Sequence, residues 1–485
     1  MRPSPCLRRC PPKRKSDRFI LVTQKVVVRQ RAILFLNLQK HRSMKKIALL
    51  LTTALFVSIS VCQSQTAKQC IAQQTEKCAG NYYAYPAPQK AQTPPPSGYT
   101  PFYLSHYGRH GSRYLINSVD VVEARDVLER AEGEGKLTSV GKKVMQQLDV
   151  VAKAMNERDG ELTPLGHQQH KEIAQRMCKN YPEIFGNSTT AIDARSTQVH
   201  RCILSMGTFC QELKVNNPSI SITNNASQRD MYYMCKEEHN VHKRTDAEVA
   251  WKKAYEAFCD ENSHPERLMG VLFKDKNYLP EKKAGKLSRQ IFNVACDLQD
   301  MPGIDFSLFT LFNEQELYDY WQSQNAYWYG TTGLCTIQSG KECERAANLL
   351  RNILDSAEDA INNAKTPTAT LRFGHDSGIL PLLVLMNVAN ANVRVGDLHE
   401  IQNVWADFKL IPMAANLQLV FYRKGDNSKD VLVKALLNEE ETTLPLKAYS
   451  GPYYRWSDVQ DYYEDLLSHI RGVEGNKDKT INSTH

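Results

Sequence analysis

The chain has 485 residues, 42% of them hydrophobic and 24% charged, the composition of an ordinary globular protein of two or three structural units; collagenous, coiled-coil, disordered and multi-span membrane readings are excluded. Its net charge of +8 is concentrated at the start, where the first 46 residues hold 14 Lys and Arg against one acid, Asp17, so that residues 47–485 carry −5 by difference. A basic body gripping nucleic acid by charge alone is thereby excluded.

In chain order, the first element is an export signal. Met44-Lys45-Lys46 precedes the largely apolar run Ile47–Val57 and then Ser- and Gln-rich sequence, the three zones of a signal peptide. The run is short for a membrane span. Residues 44–64 therefore read as a signal peptide and residues 1–43 as untranslated upstream sequence, with a buried core helix as the competing reading. The expected location is periplasmic or extracellular, with no membrane span in the mature chain. Val61 stands before Cys62 where lipidation needs a small residue, which weakens the alternative of a lipid anchor. Beyond Cys62 ten cysteines remain, an even set that in an exported chain suggests disulfides, with Cys70/Cys78 and Cys335/Cys343 as local pairs. Buried free thiols are the alternative.

Residues 65–98, with Tyr85-Pro86-Ala87-Pro88 and Thr93-Pro94-Pro95-Pro96, read as a proline-rich lead-in to a domain that begins near Tyr99. Three later segments share one design, a short β-prone run, a break and a helix-compatible run. They are Pro101–His106 leading into Tyr107–Arg113, Thr190–Ala194 into Arg195–Arg201, and Thr368–Phe373 into Gly374–Gly378, with Pro381 expected in the first turn of the helix that follows. Between them, Asp246–Cys259, Glu314–Trp328 and Cys343–Ala364 predict long helices. The expected organisation is an α/β core from 99–215 and 366–475, its mixed sheet flanked by helices, a mainly helical cap over 216–365, and a flexible tail at 476–485. Ligands of open α/β sheets bind beyond the carboxyl ends of strands, where the three junctions place Arg, His and Asp.

Those residue types suit one chemistry. Arg109, Arg113 and Arg201 offer guanidinium forks that match phosphoryl oxygens, and Gly111 would let the backbone approach a bound anion. His110, flanked by cations, would be driven to its neutral form and could attack phosphorus. The departing oxygen needs a proton, and Asp376 beside His375 is the acid in context. Neither a CxxC pair nor an HExxH-type spacing occurs, so no metal or other cofactor is expected, and His106, His167 and His170 read as structural or pocket-lining. Each short run alone could be a surface turn or a helix cap; their joint order at strand ends is the specific signal.

Arg109-His110-Gly111-Ser112-Arg113 resembles the RHGxR signature of the histidine acid phosphatases, the second branch of the histidine phosphatase superfamily. Arg195–Arg201 is similar to that family's second block, Leu162–His170 to its LTxxGxxQH helix start, and His375-Asp376 to its closing pair. The likeness runs from about Tyr99 to about Leu467. His200-Arg201-Cys202, Leu371–His375 with Leu380–Leu383, and Ala415–Tyr422 with Leu436–Glu439 are closer still to multiple inositol polyphosphate phosphatases. That group has His-Ala-Glu at the closing block, whereas here Ser377 holds the glutamate position and Asp376 follows the histidine directly.

The resemblance implies a phosphoglycerate-mutase-like core and hydrolysis of inositol polyphosphates such as phytate through a phosphohistidine. His110 would be the nucleophile, Asp376 the acid, and Arg109, Arg113, Arg201 and His375 the phosphate ligands. The partner would be a small-molecule phosphate ester rather than nucleic acid. A broad acid or sugar-phosphate phosphatase is the alternative enzyme, and a phosphate-ester-binding protein or an adhesion module the non-enzyme alternatives.

Overall fold

Strand β1, Thr100–Arg109, is buried along almost its whole length, which suits the middle of a sheet. The computed structural model describes residues 65–234, 245–363, 367–425, 428–470 and 472–473. The expected signal, the upstream segment and the tail from 476 onward lie outside the described residues, as does Cys235. Around β1 run β2 (Ala191–Ser196), β3 (Ser221–Asn225), β4 (Ala369–Gly374), β5 (Asn416–Arg423), β6 (Val431–Leu437), β7 (Glu440–Glu441) and β8 (Tyr453–Arg455). Their order is β3-β2-β4-β1-β5-β6-β7, with β8 also on β6. The first four are parallel to one another, while β5 and β6 run antiparallel, so the sheet is mixed as expected.

The register positions the site. Arg109 lies opposite Gly374 and Phe373 opposite Ser196, so β1, β2 and β4 end level with one another. Each strand then delivers its polar residues to the same edge. One face of the sheet is packed by the helices Pro164–Asn180 and His200–Asn216 through Ile173, Met177, Phe209 and Leu213. Thr163 caps the first of these, its hydroxyl accepting from the Gly166 amide, and Pro164 occupies the first helical position, where no N–H is needed. The other face is covered by Ala347–Asn362, Asp376–Leu385 and Trp456–Ser468.

Three boundaries differ from the sequence reading. Residues 67–82 are not an extended lead-in: Ala67–Gln73 is a helix with a capping box at Thr66, and Thr75–Tyr82 forms tight turns whose Cys78 and Ala79 are fully buried. The range read as cap contains the edge strand β3, and its last helix, Ala347–Asn362, packs on the sheet, where Asn352 accepts from the buried Arg372. Conversely, the helices Val119–Gly133 and Ser139–Ala154 leave the sheet and join Glu281–Asp297 in a second apolar core with Leu128, Leu148, Ile291 and Phe292.

The expected local bridges are not formed, because Cys78, Cys335 and Cys343 are thiols buried among apolar neighbours. No helix among the described residues is long and apolar enough to cross a membrane.

Candidate active site

At the level strand ends a cavity of about 480 Å³ is lined by His110, Arg113, Arg201, His375 and Asp376. Five of the six expected site residues thus meet there. Tyr82, Arg289, Asn293, Gln324, Tyr255, Tyr327 and Trp328 complete much of the wall.

His110 is 2% exposed, and its main chain is held from both sides: its N–H donates to the Gly374 carbonyl, and its carbonyl accepts from Ala414. Ring nitrogen Nδ1 lies 2.9 Å from the Gly111 carbonyl oxygen. A carbonyl can only accept, so Nδ1 carries the proton, and in the neutral ring Nε2 keeps its lone pair. Burial, then the charges of Arg109, Arg201 and Arg113, hold this imidazole far below the ordinary histidine range. Burial and these charges favour the neutral ring.

Gly111 is required by packing as well. A side chain there would meet the Gly166 carbonyl oxygen at 2.5 Å, so the glycine permits the loop to press on the start of the helix Pro164–Asn180. The contact is sealed by Ser112, whose amide donates to Gln169 (2.8 Å) and whose hydroxyl donates to Asp300 (2.6 Å).

Arg113 stacks on the Tyr82 ring, 4.7 Å from its centroid, and lies 3.7 Å from Asp297. Asp297 and Asp300 are both buried and both raised, chiefly by burial; the Asp297 charge adds to the rise at Asp300. Arg201 opens the helix His200–Asn216, makes no hydrogen bond or ion pair with a described residue, and is free to meet a ligand. Arg109 departs from expectation. Its fully buried guanidinium lies behind the wall, bonded to the carbonyls of Asn81 and Ile411 and paired with Asp376 at 2.8 Å. Both carbonyls fall on Nη1, while Nε and Nη2 make no hydrogen bond, so Arg109 faces Asp376 as an ion-pair partner and does not itself line the cavity.

His375 is the N-cap of the helix Asp376–Leu385, and Thr197 Oγ1 lies 3.1 Å from its Nε2. Burial and Arg201 lower this ring to about 4. The helix starts earlier than read, so Pro381 falls in its second turn, where it removes the intrahelical donor to the Ser377 carbonyl. Asp376 occupies the first helical position, where the helix dipole favours a carboxylate, and its Oδ1 accepts from the Ser377 amide (2.8 Å). Burial pushes its carboxyl up, but Arg109, His375 and Arg113 together outweigh that and bring it below the usual carboxylate range.

His106 and His170 are buried between Phe209 and Phe373 and are structural. His167 lies outside the cavity and meets Thr208 Oγ1 at 2.6 Å. No cluster of His, Cys, Asp and Glu that could hold a metal occurs among the described residues. Asn81 and Tyr82, which precede every motif of the site, were not read from the sequence.

This arrangement, a neutral histidine ringed by guanidinium groups at the ends of parallel strands, is that of a phosphoryl-transfer enzyme. The chain belongs to the histidine phosphatase superfamily (branch 2), whose pattern matches residues 108–438. It is a phosphatase of that family. Among curated proteins it is similar to multiple inositol polyphosphate phosphatase 1 of Gallus gallus, 22% identical over 421 residues, covering 82% of this chain and 89% of that protein. The Homo sapiens protein of the same name is 22% identical over 418 residues, covering 79% and 83%. Among solved structures, Bifidobacterium longum multiple inositol polyphosphate phosphatase in complex with inositol hexasulfate superposes with a TM-score of 0.66 at 16% identity, covering 80% of this chain and 97% of that one. The phytase from D. castellii gives 0.61 at 14% identity, covering 85% and 90%.

Proposed function

We propose that the chain hydrolyses inositol polyphosphates through a phosphohistidine on His110. The observation that carries the reading is the bond from Nδ1 of His110 to the Gly111 carbonyl, which leaves Nε2 unprotonated beside Arg113, Arg201 and His375. Nε2 attacks phosphorus in line while the arginines and His375 neutralise the charge gathering on the phosphoryl oxygens. The P–O bond breaks, and the leaving oxygen takes the proton that Asp376 acquires once the charge of the bound phosphate has raised its proton affinity. The resulting carboxylate then accepts a proton from the water that attacks the phosphohistidine; the P–N bond breaks, phosphate departs, and His110 returns to its neutral form.

Preference for an inositol polyphosphate is supported by the curated relatives and by Arg289 and Asn293 on the wall beyond the nest, which suit further anionic groups on the same substrate. A broad acid or sugar-phosphate phosphatase is the second reading, favoured by Tyr255, Tyr327 and Trp328, whose rings suit a sugar face. The same proposal takes the chain to be exported, on the pattern at Met44; the exported protein should begin between roughly Cys62 and Thr66.

The test is a rapid-quench reaction with radiolabelled substrate. Acid-labile, alkali-stable phosphate should be trapped on His110, and His110→Ala should abolish both label and turnover while still binding phosphate esters. Label on any other residue overturns the assignment. Phosphate release from phytate, glucose 1-phosphate and an aryl phosphate distinguishes the two substrate readings.

A further inference from the structure

Asn81 sits at the end of the tight turns Thr75–Tyr82, outside residues 108–438 of the family pattern. It is 3% exposed yet lines the cavity. Three of its polar groups are engaged, each with a different partner. Its backbone N–H donates to Oδ2 of Asp407 at 3.1 Å, its carbonyl accepts from Arg109 Nη1, and its side-chain Nδ2 donates to Oδ2 of Asp376 at 3.1 Å.

The turn itself is held without the Asn81 side chain. Gly80 has φ of +60°, and a Cβ there would meet Asp407 Oδ2 at 2.4 Å, so only glycine lets this carboxylate reach the backbone. Asp407 is fixed in turn by the Trp321 indole (2.9 Å) and the Phe408 amide (2.8 Å), and its own amide donates to Asn325 (3.0 Å). The Asn81 amide group is therefore spare for Asp376.

We propose that Asn81 is a positioning residue for the acid: with Arg109 it fixes Oδ2 of Asp376, and so turns Oδ1, which accepts one bond from the Ser377 amide and keeps a second lone pair, toward the departing oxygen. This rests on the acid role proposed for Asp376. The charged and titratable groups around that carboxyl are Arg109 at the end of β1, Arg113 after it, Arg201 on the helix His200–Asn216, the adjoining His375, and Tyr82 on the same turn; Asp407 lies beneath Asn81. A donor to Oδ2 favours the ionised form, so Asn81 also sets the pH at which the acid loses its proton.

The experiment measures kcat/KM against pH for Asn81→Ala and Asn81→Asp, with phytate and 4-nitrophenyl phosphate. With phytate, the alkaline limb should move up, by on the order of one pH unit for Asn81→Ala and further for Asn81→Asp, while the plateau falls several-fold. With 4-nitrophenyl phosphate, whose leaving group needs no proton, the limb should stay in place. The near-isosteric Asp variant keeps the fold testable if the Ala variant is poorly produced. A uniform loss on both substrates with no displaced limb overturns the proposal, because that is what a loosened turn would give. Failure of the underlying reading is distinguishable: Asp376→Asn would then lose equal activity on both substrates.

Discussion

Nη2 of Arg109 lies 2.8 Å from Oδ2 of Asp376, and the arginine half of this ion pair is wholly buried. The pair favours the ionised form of Asp376. A phosphate ester arriving on Arg113 and Arg201 adds negative charge beside that carboxylate and raises its proton affinity. The alkaline limb of kcat for phytate, which reports the enzyme–substrate complex, should therefore lie at higher pH than the limb of kcat/KM, which reports the free enzyme. Coincident or reversed limbs would count against this coupling.

Asp376→Asn keeps the shape of the side chain and removes the proton. An inositol alkoxide must be protonated as it departs, so phosphohistidine formation from phytate should fall by roughly 100-fold or more. From 4-nitrophenyl phosphate it should fall far less. Single-turnover measurement isolates this step from the hydrolysis that follows. Ser377→Ala should change little, because a serine hydroxyl is too weak an acid for the task.

Arg201 and Arg113 should separate in their effects. Arg201→Ala removes a cation without described partners, so kcat/KM should drop by roughly 10- to 100-fold with the melting temperature nearly unchanged. Arg113→Ala also unstacks Tyr82 and leaves Asp297 without its cation, so activity and melting temperature should fall together. Differential scanning fluorimetry beside steady-state kinetics tests both.

Arg289 lies on the cavity wall, outside the phosphate nest, with its guanidinium 5.5 Å from the Tyr320 ring centroid. Arg289→Ala should raise KM for phytate about tenfold, the loss of one charge-assisted contact. It should leave 4-nitrophenyl phosphate, which has a single phosphate, close to unchanged. Equal effects on both would show that Arg289 does not read the rest of the substrate.

His106 and His170 are lowered to about 3, burial being the leading cause for both. Unfolded, both would take protons near 6.5. The unfolded chain therefore binds more protons than the native one between these values. The stability these neutral rings contribute is complete above about pH 6.5 and is lost as pH falls toward 3. His170→Phe, which fills the same aromatic niche, should flatten the acid-side fall in melting temperature, narrowing the gap between pH 7 and pH 4 by roughly 5 °C. An unchanged gap would place the acid sensitivity elsewhere.

Strands β1, β2 and β4 and their turning points were legible because each motif is local. Arg109–Arg113, Arg195–Arg201 and Gly374–Asp376 carry a β-prone run, a break and their chemistry within a few residues. The start of the helix Pro164–Asn180 was legible through the resemblance of Leu162–His170 to the LTxxGxxQH block. What was not legible depends on distance along the chain. Asn81 meets Asp376 across 295 positions, and nothing near Asn81 marks it. The motif supplies Arg109 but not the Asn81 and Ile411 carbonyls that engage it. The close approach of Gly111 to Gly166 likewise joins residues far apart in the chain. The helices Val119–Gly133 and Ser139–Ala154 are amphipathic, and an apolar face does not say which of two cores will receive it.

The amide of His110 donates to Gly374, two residues before Asp376, while its carbonyl is claimed by Ala414 at the approach to β5. His110 and Asp376 are thus fastened through the centre of the sheet, and neither can work loose by fraying at an edge. Amide exchange at His110 should proceed only when the whole sheet opens, at the slow rate of the most protected core positions. On heating, the enzyme should lose activity in step with global unfolding, with no inactive intermediate that keeps its sheet.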